Sequence, residues 1–420
     1  MNILVLGNGY DINFDLLTSY RNFLLTTQYL CSQKIQDINT VGEVFRAEVL
    51  QKQDKKIVES YQMHKVVYDD TPLDKEKIQR LVELARTNIW FSYLLKSFNK
   101  DIGWIDFEKE ISKVIYFFNN FLKTTSPKFS AVKTFLSKED QYIITDAFGF
   151  FILPKELSGL SSGYYKVRPE YITETPIGSG YEIINKEKII DNLVASLNEL
   201  SEMLKLYMQC FVENTLQRFK VAKRITQIQA FYTVDTVVTF NYTNTFEQLS
   251  PEINVIHIHG DLSNNIVLGI NPDGNDVVDT ANTDFIQFKK YYQRVFYETD
   301  HLYLSLISQL KESNRTQHDK VIVMGHSLDV TDKDILAELF ELADEIKIIY
   351  HRKAKVGEYI ANLVRMFGKE TFDEWRLKKG LEFIPLEMNP EQQKKVSENK
   401  EKELLVALKD CYSGHAIEII

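Results

Sequence analysis

The spacing of its strand signals constrains this chain more than any other feature. Ile3-Leu4-Val5-Leu6 is a short apolar run that stops on Gly7-Asn8-Gly9, the pattern of a strand buried on both faces that turns at once into a helix. The segment after the turn carries Leu16, Leu17, Tyr20, Phe23 and Leu24 at helical spacing. Comparable runs return only after residue 230, at residues 236–240, 254–258, 266–270, 320–324 and 345–350, most of them β-branched. Loops and helical stretches separate them, so they predict one parallel sheet whose first strand lies far back in the chain.

The stretch between reads differently. Ile111, Val114, Ile115, Phe118 and Leu122 form one helical stripe, and Ile190, Leu193, Leu197, Leu200 and Leu204 form another. Residues 141–185 hold Gly149, Gly159, Gly163, Gly178 and Gly180 among short aromatic and β-branched runs, which suits turns, a small hairpin or a flap. The tail offers a strand at residues 381–386 and a charged helix at residues 391–408, whose Lys and Glu run reads as a solvated face. The predicted fold is α/β. A Rossmann-like parallel-sheet domain, residues 1–34 and 231–355, is interrupted by a large, mainly helical insertion at 35–230, and a strand-and-helix extension follows at 356–420.

A chain of 420 residues exceeds the usual size of one core, and 44% hydrophobic with 12% aromatic residues supplies ample apolar surface. Fifty basic against 59 acidic residues leave a net charge of −9, the wrong sign for a broad phosphate-binding surface. Three cysteines, at 31, 210 and 411, build neither a disulfide framework nor a four-cysteine zinc ribbon, and a cytoplasmic location fits them best. The first strand carries no basic leader, and no uninterrupted apolar stretch approaches the roughly 18 residues of a membrane span.

Four clusters can carry chemistry. Gly7-Asn8-Gly9 suits phosphate binding, because a turn without bulky side chains lets the next helix aim its N–H groups at an anion; the same glycines would also make a plain tight turn. Ile12 stands where a dehydrogenase fingerprint has its third glycine, which disfavours hydride transfer. Asp11, too close to a phosphate for comfort, would cap the helix or contact a sugar hydroxyl.

The second cluster, Thr239 to Glu247, includes Asn241 and lies at the carboxyl end of an apolar strand, where open parallel sheets bind ligands. The third is His257-Ile258-His259-Gly260-Asp261. Its histidines share a face only if the strand persists that far, and His259 is the stronger candidate because it leaves the strand beside glycine. These residues lack a fourth ligand and helical zinc spacing, so no metal is expected. The fourth cluster runs from Val321 to Leu328 through Gly325, His326 and Ser327, with Asp332 and Asp334 opening the next helix; Asp329 stands where a nucleophile elbow needs its second glycine. The Lys289-Lys290 pair reads as one solvated helix face, and Trp104 as a packing anchor.

Taken in this order, LVLGNGYDINFDLLTSYRNFL, TFNYTNTFE, HIHGDLSNNIVLGI and MGHSLDVTDKDIL resemble the AbiH family of bacterial phage-abortive-infection proteins, and more remotely the sirtuin-like NAD-binding fold, with WIDFE at residues 104–108 as a fifth stretch. The likeness departs at Asp15, where AbiH-like sequences usually have glycine, and in the missing zinc ribbon.

The resemblance implies catalytic roles for His259 and Asn241, and binding of NAD by Gly7, Asn8, Gly9, Asp11, Thr18, Ser19, Tyr20, Thr239, Gly260, Gly325, His326 and Ser327. What it implies is an anti-phage effector that hydrolyses NAD, as substrate, between nicotinamide and ribose. The alternatives are a non-catalytic nucleotide sensor acting through a partner, and a toxin directed at nucleic acid. A phage trigger, a defence partner or a second copy of the chain would be its partners, with no membrane, and nucleic acid is disfavoured by the charge.

Overall fold

The computed structural model describes residues 1–98, 106–123, 128–130, 136–152, 164–173, 183–216, 234–271, 283–312 and 318–385. Its centre is a six-stranded sheet of β1 (Asn2–Leu6), β2 (Thr236–Thr239), β3 (Asn254–His257), β4 (Lys320–Met324), β5 (Glu345–Tyr350) and β6 (Glu382–Pro385). All neighbours are parallel, and the order across the sheet is β3-β2-β1-β4-β5-β6. That is the 3-2-1-4-5-6 order of doubly wound dinucleotide-binding sheets, with its switch point between β1 and β4.

Both faces of the sheet are covered, which is why the middle strands β1, β2 and β4 are buried along nearly their whole length rather than alternating. Ile3, Val5, Val238, Val321, Val323, Ile346 and Ile348 pack on helices His301–Glu312, Lys333–Leu342 and Lys353–Lys378. On the other face Leu4, Leu6, Val237, Ile322 and Met324 share one continuous core with the helical residues between β1 and β2. The two expected stripes lie on helices Phe107–Phe121 and Lys186–Tyr207, and their apolar residues are buried in that core. Trp90 is buried there too and donates Nε1–H to the Leu193 carbonyl at 2.9 Å, satisfying its polar atom inside the core.

Some expectations need correction. Residues 266–270 do not form a strand; only Ile270 makes an isolated bridge, to Lys289. The Gln293 side chain takes the place of a neighbouring strand, accepting from Leu268 N at 2.9 Å and donating to Leu268 O at 3.1 Å. Residues 141–148, expected among turns, belong to helix Lys138–Phe148, which ends on left-handed Gly149. Beyond it are the short antiparallel pairings of Tyr164–Val167 with Lys128–Ser130 and Phe151–Ile152, and of Ile172–Thr173 with Ile183–Ile184.

The helix after β1 is also broken. Gly9–Ile12 is a single turn, and a fresh helix, Tyr20–Cys31, starts on Ser19, whose Oγ accepts from Asn22 N. Between them Asp15 sits at φ 55°, a left-handed conformation that glycine enters freely and other residues do not. The expected helix at 391–408, Trp104, and Gly159, Gly163, Gly178 and Gly180 lie outside the described residues. No helix among the described residues is long and apolar enough to cross a membrane.

Candidate functional site

The strand register brings the four sequence clusters to one edge. Leu6 pairs with Thr239 and with Met324, and Thr239 pairs with His257, so these four residues form a row across the sheet. Gly7, Phe240, Ile258 and Gly325 therefore leave the sheet side by side at its carboxyl end, where such sheets place their ligands.

At the switch point the two glycine turns interlock. Gly9 N donates to Gly325 O at 2.8 Å, and Tyr10 N to Gly7 O at 2.8 Å. A Cβ on Gly7 would lie 2.6 Å from His326 Cα, and one on Gly9 2.7 Å from Gly325 O. These glycines serve a close backbone-to-backbone approach, and the amides of Gly9 and Tyr10 are spent inside the protein. Asn8 pairs with Thr18, whose Oγ1 donates to Asn8 Oδ1 at 2.6 Å.

Asn241 and Asp11 lie next to this turn. Asn241 Nδ2 donates to Gly7 O at 3.2 Å, its backbone N to Thr239 Oγ1 at 3.1 Å, and its buried Oδ1 has no hydrogen-bond partner. Asp11 caps nothing; one carboxylate oxygen accepts from Thr243 Oγ1 at 2.6 Å and the other is buried without a partner. Burial pushes its carboxyl up to about 6, with the Thr243 hydroxyl opposing.

The two histidines of the third cluster part company, because β3 ends at His257 and the chain turns at Ile258 and His259. His257 bonds the Asn241 carbonyl at 2.9 Å and Glu247 at 2.5 Å. Against the cost of burial, that carboxylate holds the His257 imidazole above its usual range. His259, 5% exposed, turns toward the fourth cluster, with the Phe240 ring 5.3 Å away. Gly260 follows at φ 73°, and Val267 N closes the loop on His259 O at 2.8 Å.

Here the fourth cluster meets it. Asp332 Oδ1 lies 3.5 Å from His259 Nε2, and Asp332 Oδ2 lies 3.2 Å from His326 Nε2. His326 Nδ1 accepts the Leu328 amide at 2.9 Å, so that nitrogen carries no proton and the Nε2–H faces the carboxylate. Ser327 is exposed and holds Asn362 only through its carbonyl. Its side chain does not join the buried groups.

Three residues of this site, Lys290, Glu108 and Asp332, were named in the sequence without a catalytic or binding role. Lys290 is fully buried, donating to Asp332 at 2.8 Å and to Glu108 at 2.7 Å. Glu108 comes from the first turn of helix Phe107–Phe121, far from the sheet in sequence. Phe107 of the same turn stacks on Tyr20, ring centroids 4.0 Å apart, and the Tyr242 hydroxyl donates to the Val267 carbonyl at 2.9 Å. Against the cost of burial, the Lys290 ammonium holds Asp332 well below the usual carboxylate range. Burial pushes Glu108 up to about 7, with Lys290 opposing, and burial together with the Lys290 charge keeps His259 well below the imidazole range, hence neutral. The Asp-x-Asp of residues 332–334 was the available signal for Asp332; a buried lysine beside Phe288 looks like a solvated one in sequence.

The site thus combines a neutral imidazole, an ionised carboxylate beside it and an amide oxygen without a donor, at the carboxyl edge of a doubly wound sheet. This defines a parallel-sheet α/β protein with a buried polar site of acid–base character. Residues 3–351 match the family model described as "Bacteriophage abortive infection AbiH", and the chain belongs to that family, whose role lies in phage abortive infection. No curated protein and no solved structure matches the chain.

Proposed function

We propose that this AbiH-family protein acts in abortive infection by hydrolysing the nicotinamide–ribose bond of NAD, with His259 as general base and Asn241 orienting water and substrate. The observation that carries this reading is the His259 imidazole: neutral, its Nε2 without a hydrogen-bond partner, and 3.5 Å from an ionised Asp332. A neutral imidazole accepts a proton, and the carboxylate stabilises the imidazolium that results. The strand order and the sirtuin-like residues of the four clusters favour a dinucleotide as the substrate class.

The step balances without an external acid. The C–N bond breaks, nicotinamide leaves with the bonding pair as a neutral base, and water adds to the ribose carbon after an oxocarbenium-like state. His259 takes the water's proton, an effect worth roughly 10²- to 10⁴-fold. Depletion of NAD would stop the infected cell before phage matures.

Nicotinamide release from NAD by the purified protein, measured without and with phage lysate supplied as a source of the trigger, tests the reading. Release by the wild type and its loss in His259→Ala support it; a wild type inert under both conditions refutes it. A second reading, a sensor that binds the nucleotide intact, is favoured by the near-complete burial of His259, His326 and Asp332. Intact nucleotide released on denaturing the purified protein, together with unaltered defence by His259→Ala, would select it.

A further inference from the structure

The short helix Lys290–Phe296 is turned inside out. Lys290, Gln293 and Arg294, which share one face at i, i+3 and i+4, are buried, while Tyr291, Val295 and Phe296 are exposed. Each buried side chain holds a different part of the site. Gln293 fixes Leu268, just past the His259 loop, through two hydrogen bonds. Arg294 pairs with Asp334. Lys290, its side chain 1% exposed, takes Asp332 and Glu108 together, and its own amide donates to Ile270 O at 2.9 Å.

We propose that Lys290 is a positioning residue for His259: it pins Asp332 where that carboxylate faces both imidazoles, and Glu108, carried in by the helical segment, pins Lys290. The proposal rests on the reading of His259 as the base. Stability alone is a poor reason for the arrangement, because a buried ion pair seldom outperforms apolar residues of the same volume. Nor is Lys290 placed to receive a phosphate, since two of its three N–H groups point inward to carboxylates. What it controls is the charge seen by the imidazole. The charged and titratable groups facing His259 include Lys290, Asp332, Arg294, His326 and Tyr242, and Lys290 and Asp332 act on it in opposite directions.

The test is the titration of His259 in the full-length protein without NAD, followed by NMR of the histidine ring carbons and assigned with His259→Gln and His326→Gln. In the wild type His259 stays unprotonated down to a low midpoint. Lys290→Met is expected to raise that midpoint by about one unit or more, and Lys290→Arg to return it toward the wild-type value. Glu108→Gln keeps the lysine and is expected not to raise it. Should Lys290→Met fail to fold, the double variant Lys290→Gln/Glu108→Gln removes one charge of each sign and carries the same expectation.

A folded variant lacking the lysine charge, with His259 titrating as in the wild type, overturns the proposal. The readout needs no turnover, so absence of NAD hydrolysis would refute the enzymatic reading and leave this result to stand or fall by itself. Where hydrolysis is present, the acidic limb of kcat/KM moves with the same midpoint.

Discussion

The N–H of Gly9 donates to the carbonyl of Gly325 at 2.8 Å, tying the turn after β1 to the turn after β4 across the switch point of the sheet. The approach leaves no room for a side chain on either partner. Gly325 is also left-handed at φ 68°, and a Cβ there would lie 2.3 Å from Tyr10 N. Gly325→Ala is therefore expected to cost about 3 kcal/mol or more, combining the left-handed penalty with a clash against backbone. Denaturant melting checks this; a loss below about 1 kcal/mol would contradict the interlock.

Asp15 gives the opposite sign. Its φ of 55° costs an aspartate more than a glycine. Asp15→Gly is expected to stabilise the fold by about 0.5–1 kcal/mol, the relief being offset in part by the greater freedom of glycine in the unfolded chain. An unchanged or lower melting temperature would contradict it.

Asp11 predicts a pH dependence. Its carboxyl is raised by burial to about 6 from an ordinary 3.8, so the folded chain binds this proton more tightly than the unfolded chain does. The stability it confers is full below the ordinary value and is lost as pH rises to about 6, a difference of roughly 3 kcal/mol at 1.36 kcal/mol per unit. Asp11→Asn should accordingly melt higher than the wild type at pH 7.5, with the gain shrinking to nothing near pH 4. A gain that does not vary with pH would count against the buried charge.

The extent to which the sequence foretells this structure follows from the range of the interactions involved. Strands buried on both faces announce themselves as apolar runs, and five of the six central strands open or close within a residue of where those runs do; β6 lies within residues 381–386. Residues 266–270 form an equally apolar run, yet their neighbour is the Gln293 side chain rather than a strand, a relation that periodicity cannot express. The site divides in the same way. His259 and Asn241 sit in motifs at strand exits and are legible there, whereas Glu108 and Lys290 acquire meaning only through each other, across 182 residues of chain. His257 and His259 look equivalent in sequence, and the turn at Ile258 separates their fates.

Asp332 should be the least replaceable carboxylate of the site. Asp332→Asn leaves Lys290 with Glu108 alone and removes the anion facing His259 and His326. A loss of about 3–5 kcal/mol is expected for breaking the buried pair, with less loss in the Asp332→Asn/Lys290→Met double variant than the two single losses added. Additive losses in that cycle would show that the two residues do not act together.

The central claim is that His259 cleaves NAD during infection, and the NAD content of phage-infected cells tests it most directly. In cells carrying the wild-type protein NAD is expected to collapse before lysis while nicotinamide rises, and in cells carrying His259→Gln both should stay at the level of cells without the protein, with protection lost. Protection by the wild type while NAD remains unchanged would contradict the account.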